Sequence, residues 1–393
     1  MIRLAAIVIR SSSPLRFAGL DLADRAERVL RRAGIEQVRT LDDDHPFSDA
    51  PAADLMVVLP ERVIVESKTV VELVERASRG TSGGLVVADS DGHCLDMCLL
   101  PASAWRRVRC APRLRSAIKR LDLERAFHLV RIERRFIACI HYPRDVNRIE
   151  TAYLRHTNGA GAEGLFTRNI RRFSIPLSRH LLRWSVGPNH VTLAGFGFAV
   201  VAAVAFAAGT YWAGIAGALA YWMSMVLDCC DGEVARSSLT DSKFGAWLET
   251  VTDYLSYFAV LAGILFGDFR HEGIDHHTIA GAVGAVMTAG IVLLVGYQRA
   301  RVAGTNPGAF DEALAADLGQ GTTTQRFAVW GRQFIKRSFV AHLILFQALI
   351  GFLPALTEIW AYGATAALVL VLAVQAHIIR SVRVQPIGPA PSL

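Results

Sequence analysis

The sequence predicts an α/β cytoplasmic domain followed by an all-α domain of six transmembrane helices. Strand-like and helix-like segments alternate through the first 150 residues, which favours a sheet covered by helices. After residue 189, apolar runs of near-bilayer length follow one another. Hydrophobic residues make up 52% of the 393, and mean hydropathy is +0.33, high for a wholly soluble chain. The division reads as residues 1–150 for the first domain, 151–188 for a junction and 189–393 for the membrane domain.

In the first domain, strand-like runs fall at Leu4–Ile9, Leu55–Leu59 and Gly84–Ala88. Helical patterns fall at Leu22–Ala33, Val70–Ala77 and Leu114–Leu121. The opening Met1–Arg10 reads as a buried strand, since its apolar core is short and no cleavage site follows. Asp89-Ser-Asp91-Gly92 has turn composition. Cys94 and Cys98 beside His93 lack a second ligand pair, so the cysteines read as reduced and structural.

The junction holds Asn158-Gly159-Ala-Gly161, a flexible break. Arginines then interleave with Ile170, Phe173, Leu177, Leu181 and Trp184, the pattern of an interfacial amphipathic helix, broken or bent at Pro176. Six apolar spans follow, near 190–208, 211–230, 244–266, 278–297, 338–354 and 358–379. Arg and Lys gather on one side of them, which places both termini in the cytoplasm of a multi-pass inner-membrane protein. The net charge of +7 is mostly Arg flanking apolar segments. Anionic lipid headgroups and phosphate substrates fit it better than nucleic acid, for which no basic-aromatic pattern exists.

The chemistry concentrates at Asp228-Cys-Cys-Asp231-Gly232-Glu-Val-Ala235-Arg236 and, eight residues later, Gly245-Ala-Trp-Leu-Glu249-Thr-Val-Thr-Asp253. Carboxylates in hydrocarbon cost several kcal/mol and mark function by default. Asp228 and Asp231 share a helix face at i, i+3. Gly245, Glu249 and Asp253 step by four, stacking about 6 Å apart along an axis. Hard oxygen ligands in such an array suit Mg2+ or Mn2+. Gly232 and Gly245 let a bulky ligand approach the backbone, and Arg236 offers a cationic fork for phosphate.

This pattern resembles the signature of the CDP-alcohol phosphotransferase family, D-x2-D-G-x2-A-R-x8-G-x3-D-x3-D, with Glu249 where the family has its third Asp. The resemblance implies an integral membrane enzyme that moves a phosphoryl-linked group from a CDP-alcohol to an acceptor alcohol and releases CMP. It implies two divalent ions held by Asp228, Asp231, Glu249 and Asp253, with Asp253 also the general base. Asp228, Gly232, Ala235, Arg236 and Gly245 would then hold the nucleotide. Gly187-Pro188-Asn189-His-Val-Thr192 resembles the stretch that opens the family's first membrane helix. Asn189 and Thr192 would contact cytidine or ribose; Asn189 reads equally well as a helix cap. Arg299, Arg301 and Lys243 are candidates for an acceptor phosphate. Pairing as a homodimer is carried over as an expectation.

The first domain resembles a nucleotidyltransferase-like cytidylyltransferase that is degenerate, since Arg10-Ser-Ser-Ser-Pro14-Leu-Arg16 stands where a glycine-rich loop is expected. Proteins fusing the two domains make inositol phosphodiesters, which favours inositol phosphate as acceptor. The donor stays open between CDP-diacylglycerol and a soluble CDP-polyol. An inactive membrane scaffold and an active cytidylyltransferase domain stay open as alternatives.

Overall fold

A computed structural model describes residues 3–10, 15–42, 53–79, 84–88, 94–108, 127–131, 135–158, 165–302 and 337–381. The chain divides into two compact units, and each is described by itself. The first comprises Met1–Ala162, Ser174–Pro188 and Cys230–Ser242; the second comprises Glu163–Phe173, Asn189–Cys229 and Lys243–Leu393.

The first unit is built on a six-stranded mixed sheet. Its strands are β1 (Leu4–Arg10), β4 (Gln37–Asp42), β5 (Leu55–Pro60), β7 (Gly84–Ala88), β8 (Cys94–Pro101) and β9 (Phe127–Arg131), in the order β4-β1-β5-β8-β7-β9. β1 pairs in parallel with β4 and β5, whereas β8 runs antiparallel to β5 and β7. The apolar runs that define the strands are buried on both sides, as central strands require. Ala6 and Val8 face helices α1 (Leu22–Arg32) and α2 (Ser67–Ser78), while Ala5, Ile7 and Ile9 face Trp105 of α3 (Ala102–Val108). Asp21 caps α1 by accepting the Ala23 N–H, and Gly34 at φ +85° turns the chain towards β4. The expected helix at Leu114–Leu121 and the turn at Asp89–Gly92 lie outside the described residues.

A second core joins the small pieces of this unit. The hairpin β2 (Arg16–Phe17) and β3 (Leu20–Asp21) turns through Ala18 and Gly19, both at positive φ. A Cβ on Gly19 would lie 2.6 Å from the Leu182 carbonyl oxygen, so glycine is required there for space as well as angle. Ile64 of β6 (Val63–Val65) and Ala138 of β10 (Ile137–Cys139) join this core, and those two strands pair antiparallel. Phe17, Leu22, Ile149, Tyr153, Leu182 and Val234 complete it. Ile149 and Tyr153 belong to α4 (Asp145–Thr157) and Leu182 to α5 (Leu165–Arg183); Val234 lies near the end of α7 (Tyr211–Ser237). Of the two expectations for Pro176, a break is excluded, since α5 runs through it as one helix.

Arg25 fixes the end of α7 to this core. It is 2% exposed, its guanidinium lies 4.9 and 4.8 Å from the ring centres of Phe17 and Tyr153, and Nη1 donates to the Ser237 carbonyl at 2.5 Å. Burial pushes its pKa below the ordinary arginine value. Arg32 donates to the Leu239 carbonyl at 2.7 Å and pairs with Asp241 at 2.6 Å. Leu239 sits at φ +56°, unusual for a branched residue. The Thr240 N–H closes onto the Ala235 carbonyl at 3.0 Å, the arrangement of a Schellman stop, and the Leu239 side chain packs on the sheet core.

The second unit is helical. It holds α6 (Pro188–Ala207) from Asn189 onward, most of α7, α8 (Lys243–Glu272), α9 (His276–Val302), α10 (Arg337–Leu349) and α11 (Ala355–Ser381). Among the described residues, four helical segments, of 20, 27, 30 and 19 residues, are long and apolar enough to cross a membrane: Pro188–Ala207, Tyr211–Ser237, Lys243–Glu272 and His276–Leu294. The fifth expected span, 338–354, is instead a helix of 13 residues. It stops because Gly351 adopts φ +72° and the Phe352 N–H returns to the Gln347 carbonyl. Helices α6 and α8 approach closely: a Cβ on Gly263 would lie 2.3 Å from the Ala203 carbonyl oxygen.

Replacing Arg25 with alanine should lower the thermal unfolding midpoint of the full chain in detergent by roughly 3–8 °C, because a buried carbonyl loses a charged donor. An unchanged midpoint, read by tryptophan fluorescence, would show that Arg25 contributes nothing to the seating of α7.

Candidate active site

The predicted acidic residues fall on two long helices. Asp228 and Asp231 lie on α7 with Gly232, Ala235 and Arg236; Gly245, Glu249 and Asp253 lie on α8. α7 forms because its first four turns are apolar or small, and it buries Tyr221, Ser224, Met225, Val226 and Leu227 just before the first acid. α8 starts at Lys243, after the stop at Leu239.

In the helical unit, Asp228 and Asp253 meet one cation. Arg337 Nη1 lies 3.0 Å from Asp228 Oδ1 and also contacts Asp253 Oδ1. Their side chains are 24%, 30% and 15% exposed for Asp228, Asp253 and Arg337, so the interaction is only partly screened by water. The guanidinium lies 5.2 Å from the ring centre of Tyr257, and its Nε is buried without a hydrogen-bond partner among the described residues. Arg337 was not singled out from the sequence, where it was one of several basic residues near 298–337. The side chains of Arg299 and Arg301 lie outside the description, and Lys243 is exposed.

Along the last turns of α7, each residue has its own setting. Asp231 is 3% exposed and its Oδ1 accepts the Gly232 N–H. A Cβ on Gly232 would stand 2.9 Å from Arg236 Nη1, so the missing side chain gives the guanidinium its place. Arg236 Nη2 donates to Asn158 Oδ1 at 2.5 Å. Asn158 is itself buried, and its Nδ2 donates to the Leu154 carbonyl. It was read as part of a flexible break and is instead a fixed acceptor for the signature arginine. Ala235 is half-buried beside it.

Glu233 occupies a variable position of the motif, and the sequence gave no reason to choose it. It is fully buried, and its two carboxylate oxygens accept the hydroxyls of Ser174 at 2.7 Å and Ser178 at 2.6 Å, one turn apart on α5. A buried carboxylate with both oxygens satisfied is a structural anchor. The signal was present as serines spaced by four on an apolar helix face.

On α8, Gly245 and Asp253 are half-buried and Glu249 is exposed. Thr192 is buried and Asn189 half-buried, in the first turns of α6. Pro188, not Asn189, begins that helix, so Asn189 is not its cap. A Cβ on Gly195 would meet the Ser224 carbonyl oxygen at 3.5 Å and the Asp228 nitrogen at 3.9 Å. Thr192, three residues earlier, therefore shares the α6 face that lies against α7 near Asp228.

Divalent ions fit the donor set in the helical unit. The donors are carboxylate oxygens, and a cationic guanidinium already bridges two of them, which is where a hard cation would be attracted.

Residues 185–373 match the family described as CDP-alcohol phosphatidyltransferase. Among relatives, the bifunctional IPC transferase and DIPP synthase of Archaeoglobus fulgidus is 34% identical over 119 residues, 30% of this chain and 23% of the relative. The archaetidylinositol phosphate synthase of Methanothermobacter thermautotrophicus is 30% identical over 132 residues, 34% of this chain and 60% of the relative. The phosphatidylinositol phosphate synthase of Mycobacteroides abscessus is 34% identical over 106 residues, 26% of this chain and 46% of the relative. Each match thus spans less than two thirds of the curated relative. A solved structure of Mycobacterium tuberculosis phosphatidylinositol phosphate synthase with CDP-DAG bound is 23% identical with a TM-score of 0.40, covering 56% of this chain and all of that one. The C-terminal half of this chain, residues 185–373, is a domain of the CDP-alcohol phosphatidyltransferase family, whose members are transferases of substituted phosphate groups.

Proposed function

We propose that the chain is a membrane-embedded, metal-dependent CDP-alcohol phosphotransferase that joins a CDP-alcohol to an inositol-phosphate-type acceptor and releases CMP. The observation that carries this reading is the convergence of Asp228 and Asp253, from two apolar helices of the matched domain, on one cation. The names of relatives that make archaetidylinositol phosphate or phosphatidylinositol phosphate favour the inositol-type acceptor. The donor is a CDP-alcohol, either CDP-diacylglycerol or a soluble CDP-polyol.

In this reading Asp228, Asp231, Glu249 and Asp253 would hold two Mg2+ or Mn2+ ions. Bound there, the ions would supply charge neutralisation of the diphosphate and Lewis acidity. Asp253 takes the proton of the acceptor hydroxyl as its oxygen attacks the β-phosphorus. The bond from that phosphorus to the bridging oxygen breaks, the electron pair leaves with CMP, and a phosphodiester remains. Arg236, oriented by Asn158, would be the cation that meets phosphate oxygens. Gly232, Ala235 and Gly245 leave room for the nucleotide, and Asn189 and Thr192 contact its sugar or base. Arg337 holds the acids together before substrate arrives and turns a donor towards substrate phosphate afterwards.

The six helices would place the N-terminal domain, the active site and the C-terminus in the cytoplasm of a bacterial or archaeal cell, in a homodimer. The N-terminal domain would be non-catalytic and would seat the end of α7 through Arg25 and Arg32.

Purified full chain, given a panel of CDP-alcohols and acceptors with and without Mn2+, should release CMP most rapidly with an inositol phosphate. Asp253→Asn should cut turnover at least about 1,000-fold while leaving membrane insertion unchanged, since base and ligand are lost together. An active Asp253→Asn protein would remove it as the base, and no metal-dependent CMP release from any donor would favour a non-catalytic scaffold, as Glu249 in place of Asp allows. Arg337→Ala should lower kcat/KM about 10- to 100-fold, with Arg337→Lys partly restoring it. Equal activity of Arg337→Ala and wild type would confine Arg337 to packing.

A further inference from the structure

We propose that Asp275, His276, His277 and Glu358 form a divalent transition-metal site, best suited to Zn2+, at the end of the helical unit remote from the signature carboxylates. Asp268, on α8, lies 15 residues beyond Asp253, or about 22 Å along the helix axis. The cluster beyond it is therefore separate from the acids of the candidate active site.

His276 and His277 open α9, Asp275 immediately precedes it, and Glu358 lies in the first turn of α11. The donor atoms of Asp275, His276 and His277 all lie within 4.8 Å of one another. Glu358 Oε1 stands 3.5 Å from His276 Nε2 and 3.4 Å from His277 Nδ1. Around a tetrahedral Zn2+ with bonds of about 2.0–2.1 Å, neighbouring donors are about 3.3 Å apart. The Glu358 separations approach that spacing, with His276 Nε2 and His277 Nδ1 as the nitrogens that face it; Asp275 Oδ2 faces the other nitrogen of His276 and would turn to join them. Two imidazoles with two carboxylates suit zinc, whereas Mg2+ and Ca2+ prefer oxygen alone.

Hydrogen bonding in the cluster leaves the donors available. Thr278 gives both its N–H, at 2.8 Å, and its hydroxyl, at 2.7 Å, to Asp275 Oδ1. Asp275 Oδ2 faces His276 Nδ1 at 3.8 Å. His277 Nδ1 is buried and faces Glu358, and it has no hydrogen-bond partner among the described residues. The two imidazole rings lie 4.0 Å apart.

A second, independent observation comes from the neighbouring carboxylate of Asp268. Asp268 is 8% exposed, and its Oδ2 has no hydrogen-bond partner among the described residues. It lies within electrostatic reach of Asp275, His277, Glu272 and His276. A buried carboxylate oxygen without a hydrogen bond, beside further acids, attracts positive charge. His271, at the end of α8, is exposed, packs over Gly209 and lies 3.2 Å from the Ala208 carbonyl oxygen. The His277 side chain is 18% exposed and that of His276 74%. The site would tie the α8–α9 turn to the first turn of α11, so its role is to staple these helix ends.

The test uses the full chain in detergent, stripped with chelator and held in saturating Mg2+ to fill the signature acids. Added Zn2+ should be retained at one equivalent per chain after gel filtration and should raise the unfolding midpoint by several degrees. His277→Ala and Glu358→Gln should each lose that equivalent, while Asp253→Asn keeps it. Co2+ on the wild-type chain should give the intense visible band of a tetrahedral site, which keeps the idea testable if a variant misfolds. Zinc retention that is absent in wild type, or undiminished in both His277→Ala and Glu358→Gln, would overturn the assignment, as would a Co2+ spectrum of octahedral intensity.

Discussion

A single guanidinium between two carboxylates is the interaction on which the helical unit's chemistry depends. Asp228 and Asp253 project from helices that are apolar along most of their length. Neither acid would tolerate the other in a low dielectric without a cation, because desolvation and repulsion act in the same direction. Arg337 supplies that cation from the first residue of a separate helix. The same arrangement that costs stability creates an attraction for divalent ions. The proposed catalysis uses this attraction, since charge that develops on a diphosphate is stabilised most where the surroundings are already set and dry.

The last turns of the signature helix are held by unusually many polar contacts for an element that begins as a membrane span. Ser237 and Leu239 offer their carbonyls to two arginines of α1, Glu233 is bound by two serines, and Arg236 reaches a buried asparagine. Val234 and Leu239 add apolar contacts in the two cores of the first unit. Such over-determination lets Leu239 persist in a left-handed conformation that costs roughly 1–2 kcal/mol. It also gives a physical use to a sheet domain whose first loop lacks the glycines of an active nucleotidyltransferase. A rigid helix end keeps donors oriented with little reorganisation, which is what a metal-assisted transfer asks of its scaffold.

Much of this was legible in the sequence, for reasons that can be named. Strands β1, β5 and β7 were visible because continuous apolar runs bounded by turns leave few alternatives. The acids were visible because their spacing repeats the helix period and their surroundings are hydrocarbon. What escaped depends on distance along the chain or on satisfaction of polar groups. Arg337 lies 84 residues beyond Asp253, and nothing local sets it apart from neighbouring arginines. Asn158 and Glu233 look like loop and filler until their partners are known. The fifth span was over-extended because Ile350 to Leu353 is apolar, while Gly351 ends the helix first. Pro176 was expected to break or bend α5; the helix continues through it, with His180 Nδ1 2.8 Å from the Pro176 carbonyl oxygen.

The central claim is that acids of α7 and α8 share divalent ions. Mn2+ binding to the purified full chain, followed by the loss of the free-ion electron paramagnetic resonance signal, tests it most directly. Two ions should bind per chain, with Asp231→Asn and Asp228→Asn each weakening the binding at least about 10-fold. A full free-ion signal at every protein concentration, or binding that none of these substitutions changes, would contradict the account.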